Sequence, residues 1–155
     1  KRMRIVEHPT DKDSTDTELA LAFAVGEGAT DLILVSGGGD RLDHSIGALT
    51  ALGAGSLAGL TSVSSFWGDA LVRVLHPPRS AAIVMSTGVT FSLLSLHGPC
   101  RGVSVSGARW PLDDADLAPG SGLGLSNVAI DTTVRVSVVT GVLTVIVPHH
   151  FGGSA

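Results

Sequence analysis

The chain has 155 residues, enough for one large domain or two small ones, and its formal net charge of −4 argues against nucleic acid as the main partner, since phosphate backbones select basic surfaces. It is 44% hydrophobic and 15% charged, so it can bury a core, and with 4% aromatics and no Tyr that core is Val, Leu, Ala and Ile. A single cysteine, Cys100, excludes an internal disulfide framework and fits a reducing, cytoplasmic setting; no apolar run is long enough to span a bilayer, and no secretory signal is visible.

The first residue is Lys1 rather than Met, and Arg4–His8 already reads as a strand. The expectation is a start that is trimmed or preceded by further residues. Residues 9–13 form a polar loop, and Thr15-Asp16-Thr17-Glu18 fits a capping box, in which Thr15 accepts from the third helical amide and Glu18 reaches back. The helix that follows places Leu19, Ala22, Phe23 and Gly26 on one face, and Gly26 and Gly28 end it. Asp31–Val35 lacks alternation and reads as a strand buried on both faces.

The strand runs into Ser36-Gly37-Gly38-Gly39-Asp40-Arg41-Leu42-Asp43-His44. Three successive glycines cost backbone entropy. A strand, glycine loop and helix start leave N–H groups free for a phosphate or another anion. The plain reading is a tight turn with Asp43 as a first-turn acid. Leu42, Ile46, Leu49 and Leu52 mark the buried stripe of the second helix, which Gly53-Ala54-Gly55 stops. Strand and helix alternating in this way predict a sliver of parallel sheet covered by helices.

After about Gly59 alternation with period two takes over. Strands are predicted over Leu60–Phe66, Ala70–His76, Ala81–Met85, Thr90–Leu96, Gly102–Ser106, Asn127–Ile130, Val134–Val139 and Val142–Val147, the last two as a hairpin about Thr140-Gly141. Many short strands suggest a sandwich. Arg109–Gly124 reads as a long irregular stretch, with Asp113, Asp114 and Asp116 in a solvated acidic turn. The fold class expected is α/β plus all-β: a partial parallel-sheet domain over residues 1–58, a β-sandwich over 59–150 and a small-residue tail over 151–155.

Four patches in order resemble the thiamine pyrophosphokinase family: Lys12-Asp13-Ser14-Thr15-Asp16 with Glu18 and Leu19; Gly39-Asp40-Arg41-Leu42-Asp43-His44; Gly107-Ala108-Arg109-Trp110-Pro111-Leu112; and Gly124-Leu125-Ser126-Asn127. The second is the most specific, and the resemblance runs from about Ile5 to Pro148. It implies an α/β nucleotide-binding domain followed by a thiamine-binding sandwich, in a homodimer with sites between subunits. It implies transfer of the pyrophosphoryl group of ATP to the hydroxyl of thiamine, giving thiamine diphosphate and AMP. The family's upstream Gly-Asp-Phe-Asp-Ser patch would precede Lys1, Arg109 stands where Lys is usual, and Gly47 where a polar residue is common. The competing expectation is a non-catalytic relative that binds thiamine or a nucleotide, or only dimerises.

The resemblance assigns Asp13 and Asp16 to magnesium and Asp16, Thr15 and the Gly37, Gly38 and Gly39 amides to ATP. Magnesium on phosphates takes one or two carboxylates plus water. Arg41 would pair with a phosphate oxygen. Asp43 would orient the thiamine hydroxyl, take its proton, or bond the aminopyrimidine. His44 is read as a buttress or helix cap rather than a reacting group. Trp110 offers a ring face to the cationic vitamin, and Ser126 and Asn127 offer hydrogen bonds to its pyrimidine. Trp67 matches no patch and is read as structural, and Cys100 as packing.

Overall fold

The computed structural model describes residues 7, 13–36 and 41–150. Two helices, α1 (Asp16–Gly26) and α2 (Leu42–Ala51), flank strand β1 (Asp31–Ser36) in the chain, and a 3-10 turn at Gly55–Leu57 follows. Nine strands come next: β2 (Ser62–Trp67), β3 (Ala70–Leu75), β4 (Arg79–Val84), β5 (Thr90–Leu94), β6 (Cys100–Ser106), β7 (Leu112–Leu117), β8 (Asn127–Val128), β9 (Thr133–Val138) and β10 (Leu143–Val147). The expected strand at Arg4–His8 and the Gly37, Gly38 and Gly39 loop lie outside the described residues, Glu7 excepted.

One sheet of six strands runs in the order β1-β2-β3-β10-β5-β8, and one of four in the order β4-β9-β6-β7. β1 and β2 are parallel, in register from Asp31 opposite Ser62 to Ser36 opposite Trp67, and the other pairs are antiparallel. The six-stranded sheet therefore has two different faces. Phe91, Leu93, Leu143 and Val145 meet Val103, Val134 and Val136 of the second sheet in the sandwich core. On the opposite face Leu32, Val63, Val72 and Val74 pack against Leu21, Leu52 and Leu57 of the helical layer. Each such Leu contributes about 1.5–3 kcal/mol by leaving water. The boundary expected after residue 58 falls between two strands that share one ladder.

Several expectations need correction. β1 is buried on one face only: Leu32 is buried, while Ile33 and Val35 are 63% and 75% exposed, because the second sheet does not reach this edge. α1 packs through Leu21, Ala24 and Val25 rather than Ala22 and Phe23, which are exposed. In α2 the inward stripe holds at Leu49 and Leu52, but Leu42 and Ile46 are exposed. The Thr140-Gly141 hairpin does not form. β9 pairs with β4 and β6, whereas β10 pairs with β3 and β5. The chain changes sheets at Gly141, whose φ of +83° and contact with the Pro99–Cys100 backbone leave no room for a side chain. Asp113, Asp114 and Asp116 are part of β7, an edge strand with register shifts against β6. Charge on an exposed edge resists pairing with other chains.

Candidate functional site

The capping box expected at the start of α1 is present. Glu18 N donates to Thr15 Oγ1 at 3.2 Å, and Thr15 N donates to Glu18 Oε2 at 2.7 Å. The N-terminus of α1 thereby stops beside that of α2, and a cavity of about 730 Å³ opens between them. Its lining is Ser14, Thr15, Asp16 and Thr17 from one side and Asp43, His44, Gly47 and Ala48 from the other. Two helix N-termini bring partial positive charge to one space, a setting that suits anionic phosphates.

Two expected carboxylates, Asp16 and Asp43, share this cavity; Asp13 is exposed and is not part of the wall. Asp43 is held by Arg41, which donates Nε to Oδ1 at 3.2 Å and Nη2 to Oδ2 at 2.6 Å. That pair holds the Asp43 carboxyl below the usual carboxylate range and pushes the Arg41 guanidinium up. Asp43 is therefore an ionised acceptor and a weak base. Among the described residues no group of three or more His, Cys, Asp or Glu side chains converges on one point. Asp16 on the wall of a space suited to phosphate, with Asp13 exposed three residues before it, fits the way magnesium binds, through one or two carboxylates with phosphate oxygens and water completing the shell.

A second cavity, of about 300 Å³, adjoins the first and shares Thr17, His44 and Ala48 with it. Ser36, Arg41, Ser45 and Trp67 complete its wall. The sequence patches give Trp67 no site role. It stands opposite Ser36 at the carboxyl ends of the two parallel strands, the place where open α/β sheets hold ligands. Its Nε1 is buried and has no hydrogen-bond partner among the described residues. The signal in the sequence was its position at the end of the strand after the glycine-loop unit.

Trp110, Ser126 and Asn127 are brought together elsewhere. Asn127, 2% exposed, accepts from Trp110 N at 3.2 Å and Val128 N at 2.8 Å through Oδ1, and donates Nδ2 to Trp110 O at 2.7 Å. Its amide is thus engaged in holding the Trp110 backbone. The Trp110 ring is 55% exposed, with the Arg109 guanidinium 5.7 Å from its centroid, so the ring face already takes a cation. Ser126 is exposed, with a left-handed φ of 54°, and its N–H donates to Ser92 Oγ at 3.1 Å.

The two groups lie at opposite edges of one sheet. β1, which leads to Asp43, is one edge strand; β8, which carries Asn127, is the other. At the usual spacing the edges are about 24 Å apart. Within one chain the acidic cavity and the Trp110 platform do not form a single cleft.

Comparison with known proteins follows this division. The family model described as thiamin pyrophosphokinase, catalytic domain, matches residues 1–56, and that described as thiamin pyrophosphokinase, vitamin B1 binding domain, matches residues 74–143. Thiamine pyrophosphokinase 1 of Oryza sativa subsp. japonica is 26% identical over 142 residues, covering 86% of this chain and 53% of its own length. The crystal structure of thiamine pyrophosphokinase from Bacillus subtilis superposes with a TM-score of 0.76 at 24% identity, over 87% of this chain and 63% of that one. That of thiamin pyrophosphokinase from Geobacillus thermodenitrificans gives 0.73 at 27%, over 89% and 63%. The chain thus spans about half the length of the curated relative and less than two thirds of these two structures. Its α/β lead-in and β-sandwich are those of the solved structures. With its two halves matched in order by the family's two domains, the chain belongs to the thiamin pyrophosphokinase family.

Proposed function

We propose that the protein transfers the pyrophosphoryl group of ATP to the hydroxyl of thiamine, releasing thiamine diphosphate and AMP. Residues 1–58 would supply the nucleotide part and 59–150 the thiamine part. The observation that carries this reading is the pair Asp16 and Asp43 on one cavity between two helix N-termini. Pyrophosphoryl transfer asks for alignment and charge neutralisation more than for covalent help.

In this reading Thr15, the Gly37, Gly38 and Gly39 amides and the helix ends hold the ATP phosphates, and Asp16 meets them through magnesium. Asp13 and Asp16 would hold magnesium, which supplies charge neutralisation on the phosphate oxygens when bound. Arg41 keeps Asp43 ionised, and its remaining N–H groups would pair with a phosphate oxygen. Asp43 accepts a hydrogen bond from the thiamine hydroxyl and aims its oxygen; its depressed pKa favours orienting that group over removing its proton. Trp110 offers its ring to the cationic thiazolium, Asn127 holds Trp110 in place, and Ser126 is free to bond the aminopyrimidine.

The separation of the two half-sites supports a homodimer in which the Trp110 edge of one copy closes the Asp43 cavity of another. Exposed apolar residues accompany both: Leu42 and Ile46 on α2, which carries Asp43, and Leu123 and Leu125, shortly before Ser126 and Asn127 in the chain. No helix is long and apolar enough to cross a membrane among the described residues. A cytoplasmic setting is proposed from the single buried thiol, Cys100. The test is incubation of the complete protein with ATP, magnesium and thiamine. AMP and thiamine diphosphate in equal amounts are expected, and neither product would refute the reading.

A further inference from the structure

A pocket of about 140 Å³ lies at the other end of the parallel strands. Asp31 opens β1 and Ser62 opens β2, so this end is separated from the candidate site by the length of β1, about 17–20 Å. Two arginines line it, Arg73 of β3 and Arg79 of β4, with the hydroxyls of Thr61, Ser62 and Ser80.

Both guanidiniums are anchored by hydrogen bonds. Arg79 Nη1 donates to the carbonyl oxygens of Leu60 and Thr61. Arg73 Nη1 donates to Ser64 Oγ at 2.7 Å, while its Nε is buried and has no partner among the described residues. The ion pairs among the described residues are Arg41–Asp43 and His149–Asp69, so no described carboxylate neutralises Arg73 or Arg79 by contact. Asp31 is the acid whose field reaches Arg73, but its oxygens are engaged by Ser62 Oγ at 2.6 Å and Thr30 Oγ1 at 3.0 Å. The positive charge is felt nearby: Arg79 helps to hold the His76 imidazole below its ordinary pKa, after burial, the larger cause.

With Arg73 and Arg79 both lining the pocket and no described carboxylate in contact with either, an anion is the ligand whose charge this wall complements. Two guanidinium forks with flanking hydroxyls are the donor set that recognises a tetrahedral oxyanion. The volume suits one such group and is too small for a nucleotide, whose sites run to several hundred Å³. We infer that the Arg73–Arg79 pocket binds a single phosphate group, either the free ion or the end of a phosphate monoester. This site stands apart from the proposed transfer reaction, and either can fail without the other.

The test is titration of the complete protein, at constant ionic strength, with inorganic phosphate, with glycerol 3-phosphate and with chloride, followed by NMR. Saturable shifts of the Thr61, Ser62 and Ser80 amides are expected with phosphate and absent with chloride. Saturation by phosphate alone identifies the free ion; saturation by the ester as well identifies a monoester end. Arg73→Gln, which leaves the Arg79 anchor in place, is expected to weaken binding at least about tenfold, and Arg73→Lys less. Ser80→Ala, at an exposed serine, is expected to weaken it severalfold without touching the fold. Absence of saturable shifts with phosphate, shifts that chloride reproduces, or equal affinity in folded Arg73→Gln and Ser80→Ala would overturn the assignment.

Discussion

Arg41 grips Asp43 with two hydrogen bonds, the shorter 2.6 Å, across a single intervening residue at the start of α2. Both side chains stay largely exposed, at 68% and 64%, so the pair adds little to stability. Its effect is on charge. Asp43→Asn is expected to lower kcat by about 10²-fold or more. Arg41→Gln is expected to return the Asp43 carboxyl, followed by carbon NMR, up to the ordinary aspartate range. An Asp43 that titrates normally in the unaltered protein would remove this account of the pair.

Trp110 and Asn127 separate binding from stability. Asn127→Ala leaves the Trp110 N–H and C=O and the Val128 N–H without their partner in a part-buried setting. A loss of about 2–4 kcal/mol in urea unfolding is expected. Trp110→Ala removes an exposed ring, so stability should change by less than about 1 kcal/mol while the KM for thiamine rises. The reverse ranking in stability would contradict the placement.

His76 and His97 give the fold a pH dependence. His76 Nε2 meets Leu52 O at 3.0 Å, and His97 lies against Gly53, so both rings hold the end of α2 to the sheet. Burial pushes both imidazoles below the ordinary 6.5. Between the folded and ordinary values the unfolded chain binds more protons. Stability is therefore full above about pH 6.5 and falls as the pH drops below it, by at most about 1.4 kcal/mol per unit for each histidine. Urea melts at a series of pH values check this, and His76→Gln should flatten the slope.

Gly141 is where the chain passes between sheets. A Cβ there would lie 2.1 Å from Pro99 O on a backbone with φ +83°. Gly141→Ala is expected to cost more than about 2 kcal/mol. Gly120→Ala shares a positive φ but meets nothing within 4 Å, and should cost only about 1 kcal/mol. Thermal unfolding of the two variants side by side checks the contrast.

Much of this was legible from local chemistry. The capping box of α1, β1 with its following helix, and most sandwich strands follow from period and turn residues. What failed was long-range. Alternation cannot say that Val134–Val139 and Val142–Val147 go to different sheets, since Thr140-Gly141 serves a sheet-changing corner as well as a hairpin. β7 was missed because its residues, Leu-Asp-Asp-Ala-Asp-Leu, carry charge on an edge rather than a β-branched run. Leu42 and Ile46 keep helical spacing yet stay exposed, since spacing does not tell which neighbours reach a face. At the site, Asp16 and Asp43 line one cavity, and Trp67 lines the adjoining one although it belongs to no patch.

The central claim is that two half-sites, at opposite edges of one sheet, are joined by a second copy. Its most direct test is subunit mixing in the complete protein with Asp43→Asn and Trp110→Ala, assayed at limiting thiamine. Random reassortment leaves half of the dimers mixed, each with one intact site, so about one quarter of the unaltered activity is predicted. Activity no greater than the average of the two separate variants would contradict the claim.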